Sequence, residues 1–161
     1  MTLREQVEEV VDAALSAAVA DGSLPLEEVP AAALERPRDA ANGDWASTVA
    51  LRAAKAAHMK PRDVAEVVVS HLPKNDLIAL TEIAGPGFVN IRLTNAALAS
   101  VIAEARREGM DFGRGEAPAN AGRINLEYVS ANPTGPMHVG HGRWAALGDS
   151  MARVLRHAGF D

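Results

Sequence analysis

The chain has 161 residues, no cysteine and a net charge of −5, with 48% apolar and 23% charged residues. This composition is that of a globular protein long enough for one domain, or for one domain and part of another. The lack of cysteine excludes disulfides, cysteine-based zinc sites and thiol catalysis. No apolar run approaches the roughly 18 residues that span a bilayer. The N-terminal segment carries acidic residues and no apolar signal core, so we expect a cytoplasmic protein.

The charged residues are distributed unevenly along the chain. Residues 1–30 contain seven acidic side chains and one arginine, so this segment would repel a polyanion. Basic side chains are densest between residues 36 and 62, at Arg36, Arg38, Arg52, Lys55, Lys60 and Arg62. Such a cluster is either a set of solvated helix faces or a local surface for an acidic partner, and the sequence leaves both open.

Helical periodicity dominates the beginning of the chain. Apolar residues recur every three or four positions and predict a first helix over residues 3–20. Thr2 can cap that helix, with Glu5 as the reciprocal partner of a capping box, and Asp21-Gly22 ends it. Residues 34–38 are predicted to be a short extended segment, which Pro37 confines to a sheet edge or strand end.

Two helices and a hairpin are predicted next. Small and apolar residues predict a helix over residues 45–58, and Pro61 suits the first turn of another that runs to about Leu72. The period then changes to two, and a Gly85-Pro86-Gly87 turn predicts a β-hairpin over residues 77–93. We expect its core face to be formed by Val89, Ile91 and Leu93.

A helix and a linker complete the first part of the chain. Thr94 or Asn95 can cap a helix from Ala96 to about Arg107. Four glycines and a proline between residues 109 and 122 indicate a linker. The first 110 or so residues therefore predict one small module of helices against a short antiparallel sheet.

Residues 123–161 are the most informative part of the sequence. Residues 123–129 are predicted to form a strand, residues 130–136 a polar loop, and a helix opens within residues 137–143. A strand, a glycine-bearing loop and a helix N-terminus form an anion-binding arrangement, because free backbone N–H groups and the helix dipole both favour phosphate.

Two histidines flank Val139-Gly140 at the start of this helix. The imidazoles of His138 and His141 can donate hydrogen bonds to phosphate oxygens as charge builds up in a transition state, and Gly140 leaves room for a planar base against the backbone. Two alternatives stay open from the spacing alone. The pair could be zinc ligands, which would need a third ligand that the other histidines do not supply at metal spacing, or solvated capping residues.

The wider context of these histidines resembles a known family. Residues 127–141, Glu-Tyr-Val-Ser-Ala-Asn-Pro-Thr-Gly-Pro-Met-His-Val-Gly-His, resemble the first signature of class I aminoacyl-tRNA synthetases. The lead-in from Ser130 to His138 and the segment Gly148-Asp149-Ser150-Met151-Ala152-Arg153 are similar to arginyl-tRNA synthetase. The upstream segments Pro37-Arg38-Asp39, Gly43-Asp44-Trp45-Ala46 and Gly85-Pro86-Gly87-Phe88-Val89-Asn90 are similar to the extra N-terminal domain of that family.

The resemblance implies an α/β fold with two parts. Residues 1–115 would be the tRNA-contacting N-terminal domain, an α+β arrangement of helices on a short antiparallel sheet. Residues 116–161 would be the first strand, loop and helix of a Rossmann-type catalytic domain. The implied activity is that of an arginine–tRNA ligase, which forms arginyl-adenylate from arginine and ATP and then transfers the arginyl group to tRNA(Arg). ATP with Mg²⁺ would be the substrate, without a protein-bound metal or organic cofactor.

The resemblance also implies site residues. His138 and His141 would be catalytic, and Met137, Val139 and Gly140 would join them in binding ATP. Ser130, Asn132 and Glu127 would bind arginine. The signature region as a whole comprises Ala131, Asn132, Pro133, Thr134, Gly135, Pro136, Met137, His138, Val139, Gly140 and His141. No residue is expected to bind a metal directly.

The expected partners are tRNA(Arg), arginine and ATP, and no membrane. The family is usually monomeric, but residues 123–161 would expose apolar side chains through which this chain could self-associate. Because a doubly wound fold needs several strands, we expect the isolated chain to be catalytically incomplete. The alternatives are a stand-alone tRNA-binding or regulatory module, and a nucleotide-binding domain with an unrelated role.

Overall fold

The computed structural model of this chain describes residues 2–161. Two units are distinguished by their internal contacts: the first ends at Ala103, and the second runs from Glu104 to Asp161. The regular elements of the first unit are α1 (Leu3–Ala20), β1 (Leu34–Glu35), a 3-10 helix (Ala40–Asn42), β2 (Trp45–Ser47), α2 (Val49–Ala53), α3 (Pro61–Ser70), β3 (Ile78–Ala84), β4 (Phe88–Leu93) and the start of α4 (Asn95–Glu108).

The four strands form an antiparallel sheet in the order β1-β2-β4-β3. Residues that α1, α2 and α3 bury share one hydrophobic core with every second residue of β4, namely Val89, Ile91 and Leu93. The predicted module of helices against a short antiparallel sheet is therefore confirmed, as is the predicted core face of the hairpin. β1 has two residues, and β3 shows a register shift between Ile78 and Leu80 of the kind that a β-bulge produces.

Local signals place α1 where the sequence predicts it. The Thr2 hydroxyl accepts a hydrogen bond from the Glu5 N–H at 3.3 Å, and the Glu5 carboxylate accepts one from the Thr2 N–H at 2.7 Å. Such a reciprocal box satisfies two N–H groups that the helix cannot pair internally. The inward face of α1 is fully buried, at Val7, Val11, Ala14, Leu15 and Ala18.

The helix predicted over residues 45–58 is wrong at its beginning. Residues Trp45–Ser47 form β2, which pairs with β1 on one side and with β4 on the other, and only Val49–Ala53 is helical. The Ser47 hydroxyl is fully buried and donates to the Ala32 carbonyl. Pairing with two distant strands outweighs the local preference of small residues for helix, because it satisfies the backbone along both edges.

The second unit contains the end of α4, a 3-10 helix (Gly109–Asp111) and α5 (Val139–His157). The strand predicted over residues 123–129 is absent, and these residues have no regular secondary structure. A strand is stabilised by the ladder that it forms with a neighbour, and within residues 104–161 no segment pairs with this one as a strand. Its Tyr128 instead packs on Gly148 of α5, where a Cβ atom would lie 2.2 Å from the Tyr128 ring.

One ion pair joins the C-terminal ends of α1 and α3. His71 Nε2 lies 2.8 Å from a carboxylate oxygen of Asp21, and His71 Nδ1 lies 2.7 Å from the Val67 carbonyl oxygen. Both neighbours are acceptors, so only the imidazolium form donates on both sides. The bond to Val67, followed by that to Asp21, raises the pKa of His71 above 6.5, while the bond from His71 lowers the pKa of Asp21 from 3.8 to about 2.

These pKa shifts predict a pH window for the stability of the first unit. The Asp21 contribution is complete above pH 3.8 and is lost as the pH falls through about 2. The His71 contribution is complete below pH 6.5 and is lost as the pH rises through its raised pKa. We expect the difference in urea midpoint between the parent and His71→Gln to be largest between about pH 4 and 6, and smaller at pH 9.

The matched control is His58→Asn, which changes an exposed histidine. The backbone at residue 58 has a positive φ of 52°, which asparagine tolerates. That variant removes an imidazole that forms no ion pair with a described residue, so it shows the effect of losing a histidine ring without losing the pair with Asp21. A His71→Gln difference that does not change between pH 5 and pH 9 would show that the ring is not charged in the folded protein.

Candidate functional site

The two histidines of the signature cap the N-terminus of α5. His138 is the N-cap residue, with φ −91° and ψ 173°, and its Nδ1 accepts a hydrogen bond from the Gly140 N–H at 3.1 Å. The Nδ1 of His141 accepts a hydrogen bond from the His138 N–H at 3.2 Å. This is the reciprocal geometry of a capping box, built from imidazoles in place of the usual hydroxyl and carboxylate. Of the interpretations that the spacing left open, capping is observed.

Capping uses only one side of each ring. The His138 and His141 rings stack with their centroids 3.8 Å apart and 23° between their planes. The ring of Trp144 meets His141 edge-on at 6.0 Å. No described residue forms a hydrogen bond with either Nε2 atom, and His138 is exposed. Two ring nitrogens without a described hydrogen-bond partner therefore lie at a helix N-terminus, a position that favours anions.

Gly140 provides the space that the His138 ring occupies. A Cβ atom at residue 140 would lie 2.8 Å from Cε1 and 3.0 Å from Nδ1 of that ring. These distances are shorter than a side chain tolerates, so a larger residue would displace the ring. The neighbouring signature residues Met137 and Val139 are 69% and 91% exposed.

A groove of about 330 Å³ lies between residues 126–130 and the face of α5 that carries Trp144, Leu147 and Gly148. Glu127 and Ser130, two of the expected arginine ligands, line this groove together with apolar side chains of α5 such as Trp144 and Leu147. Asn132, the third expected ligand, is exposed and does not line it, and neither do the two histidines. The structure thus brings Glu127 and Ser130 together but leaves Asn132 apart from them.

The backbone beside this groove is strained. Val129 has φ 59°, in the left-handed region. That region is unfavourable for a β-branched residue and costs about 1–3 kcal/mol. The strain lies directly before Ser130, at the point where the segment packed on α5 passes into the exposed signature loop. The sequence contained no signal for it, because valine is not a residue that turns favour.

A second groove, of about 450 Å³, belongs to the first unit alone. It opens on the face of the sheet opposite to α1, α2 and α3, where Ala46 and Glu82 are the strand neighbours of Asn90. Asn90 is only 8% exposed. The groove is lined by Glu35, Arg36, Pro37, Arg38, Asn42, Ala46, Ala84, Phe88 and Asn90.

Only part of the predicted basic cluster lines this groove. Arg36 and Arg38 line it, and the Arg36 guanidinium also lies 4.3 Å above the Trp45 ring. Arg62 pairs with Glu66 at 3.6 Å and is not a lining residue. Three other members of the cluster are exposed elsewhere: Arg52, Lys55 and Lys60.

Sequence analysis missed Phe88, Asn90 and Asn42 as site residues. The available signal was the alternation in β4, which directs Phe88 and Asn90 to the face opposite the core.

None of the helices within residues 2–161 combines the length and the hydropathy of a membrane span. The same residues bring no three histidine, aspartate or glutamate side chains together as metal ligands.

Comparison with known proteins identifies the family. Residues 5–93 match the family model described as the arginyl tRNA synthetase N terminal domain. The chain is 46% identical over 159 residues to an arginine–tRNA ligase of Thioalkalivibrio sulfidiphilus, a match that covers 99% of this chain and 27% of that protein. The corresponding ligase of Halorhodospira halophila is 47% identical, with 98% of this chain and 27% of that protein covered. The chain thus spans about a quarter of the length of these curated relatives.

Solved structures agree with this match. Thermus thermophilus arginyl-tRNA synthetase superposes with a TM-score of 0.58 at 26% identity, over 99% of this chain and 24% of the other. The Plasmodium falciparum enzyme shares the fold, with a TM-score of 0.56 at 15% identity over 96% of this chain and 29% of the other. The resemblance found in the sequence is confirmed: the chain belongs to the arginyl-tRNA synthetase family, and residues 5–93 are its N-terminal domain.

Proposed function

We propose that this chain acts as the N-terminal portion of an arginine–tRNA ligase, a cytoplasmic enzyme that activates arginine with ATP and transfers it to tRNA(Arg). The observation that carries this proposal is the histidine-capped N-terminus of α5, where both Nδ1 atoms accept backbone N–H groups and neither Nε2 atom has a described hydrogen-bond partner. It lies in a chain that matches such ligases over almost its whole length.

The chemistry of activation suits this helix start. The arginine carboxylate attacks the α-phosphorus of ATP in line, a P–O bond forms, and the bond to pyrophosphate breaks. Negative charge then grows on the leaving pyrophosphate, and N–H donors fixed in advance stabilise it. His138 and His141 supply such donors, while Met137, Val139 and Gly140 border the path of ATP. Mg²⁺ enters with ATP as part of the substrate.

The groove beside α5 is the proposed place for arginine. Glu127 gives it a carboxylate that can pair with a guanidinium, and Ser130 gives it a hydroxyl. Asn132 lies two residues further along the exposed loop and would join Ser130 at the α-amino and carboxylate end. The apolar side chains that line the same groove suit the aliphatic part of arginine.

Residues 1–115 are the proposed tRNA-contacting domain, and residues 116–161 the proposed beginning of a Rossmann-type catalytic domain. On this proposal, residues 123–129 become a strand when a neighbouring strand pairs with them. Exposed apolar side chains support this, since Tyr128, Trp144 and Leu147 are 41%, 50% and 60% exposed. The isolated chain would then be catalytically incomplete and could self-associate through residues 123–161.

The groove on the sheet is the proposed contact for tRNA. Arg36 and Arg38 can neutralise phosphates, the Phe88 ring can stack on an unpaired base, and the Asn42 and Asn90 amides can bond base edges. This groove also favours the second candidate function, a stand-alone tRNA-binding or regulatory module, because the first unit contains it without any contribution from α5.

The catalytic role of the histidines can be tested in a chimera. Replacing the matched segment of the Thioalkalivibrio sulfidiphilus ligase with this chain should preserve arginine- and tRNA-dependent ATP–pyrophosphate exchange. His138→Ala or His141→Ala should then lower kcat by about 100- to 1000-fold, the usual effect of removing a transition-state donor. His58→Asn, at an exposed histidine of the first unit, is the control and should leave kcat unchanged. Full activity of both signature variants would refute the assignment.

The role of the sheet groove can be tested by tRNA binding to the full chain. Arg38→Ala should weaken binding to a tRNA(Arg) transcript and reduce the dependence of log K on log salt concentration by about one, because one phosphate contact is lost. Arg52→Ala removes the same charge outside the groove and should leave both quantities unchanged. Fluorescence anisotropy across a salt series measures them, and equal effects of the two variants would contradict a localised contact.

A further inference from the structure

We propose that the reciprocal cap holds His138 and His141 in the neutral tautomer that carries its proton on Nε2, and that Gly140 is a positioning residue for this state. The further step, that the Nε2–H groups of His138 and His141 bind a phosphate, rests on the proposed function. The tautomer and the role of Gly140 rest on the geometry of α5 itself.

The direction of the two capping hydrogen bonds fixes the tautomer. A backbone N–H can only donate, and the N–H groups of Gly140 and His138 point at Nδ1 of His138 and Nδ1 of His141, at 3.1 and 3.2 Å. Each Nδ1 must therefore present a lone pair, which places the proton of a neutral ring on Nε2. The His138 carbonyl accepts from the His141 N–H at 3.0 Å, so the first turn of α5 keeps its own hydrogen bond while the rings complete the cap.

Gly140 makes this arrangement possible because the His138 ring folds back over it. A Cβ atom at residue 140 would meet Cε1 at 2.8 Å, which forces the ring out of the cap and releases Nδ1 from its donor. At Gly142, two residues further along the same helix, a Cβ atom would meet nothing within 4 Å beyond the helix's own backbone. The two glycines therefore differ in their relation to the ring while sharing the helix.

The consequence is a site that prefers an anionic oxygen to a metal ion. With Nδ1 occupied by the backbone, each stacked ring offers a hydrogen-bond donor and no lone pair at Nε2. Such a pair suits an anionic oxygen and disfavours direct ligation of a metal ion, which needs an unprotonated ring nitrogen. The edge of Trp144 against His141, at 6.0 Å, limits the directions in which the second ring can turn.

The tautomers can be measured by two-bond ¹H–¹⁵N correlation NMR of the ¹⁵N-histidine-labelled full chain at pH 8.5, without nucleotide. We expect His138 and His141 to show protonated Nε2 and bare Nδ1, with Nδ1 shifts displaced from that of exposed His58 by the accepted hydrogen bond. A protonated Nδ1 at either residue, or Nδ1 shifts equal to that of His58, would overturn the inference.

Two glycine variants test the positioning role. Gly140→Ala should move the His138 Nδ1 shift to that of His58 and make the amide of residue 140 exchange roughly fivefold faster, as expected for losing one hydrogen bond. Gly142→Ala makes the same chemical change, favours helix to the same extent, and should leave the His138 signals in place. Equal behaviour of the two variants would refute the role of Gly140. Since no nucleotide is present, the result is independent of the chimera experiment, whose failure would affect only the proposed function.

Discussion

Strand β4 is the element on which the first unit depends. It is hydrogen-bonded to β2 along one edge and to β3 along the other, so its backbone is satisfied while Val89, Ile91 and Leu93 contact the helices. Because side chains alternate along a strand, the same six residues send Phe88 and Asn90 to the opposite face. One strand therefore supplies side chains both to the core and to the sheet groove. A shift of its register by one residue would move each set of side chains to the opposite face.

The second unit is organised by contacts that are local to α5. Its N-terminus is completed by the two imidazoles, and its middle turn accepts Tyr128 at Gly148, where no side chain would fit. Both contacts depend on glycine at a helix position, at some cost in intrinsic helix propensity. The helix is therefore intrinsically less stable at Gly140 and Gly148, the two positions where the His138 and Tyr128 rings approach it closely.

Elements with local determinants could be predicted from the sequence. The Thr2–Glu5 box, Pro61 and the period-two pattern of residues 77–93 each act within a few residues, and the corresponding elements are present. The strand Trp45–Ser47 could not be recognised, because its pairing partners lie far away in the chain and its own residues suit a helix. The prediction of a strand over residues 123–129 was wrong for the opposite reason, because these β-prone residues have no strand to pair with in residues 104–161.

The candidate sites were predictable to different degrees. The positions of His138, Gly140 and His141 at a helix start followed from the sequence, but the direction in which each ring faces did not, because it depends on which nitrogen meets a backbone N–H. Glu127 and Ser130 share a groove as a result of the turn at Val129, whose positive φ has no counterpart in local preference.

The two outer edges of the sheet have a consequence for crowded conditions. Unpaired strand edges are templates on which other chains can add, and such growth leads to aggregates. Here one border strand is only two residues long and Pro37 lies two residues beyond its end, while the other changes register after Ile78. A two-residue border strand on one side and a register shift on the other are both features that hinder the edge-to-edge addition of further copies.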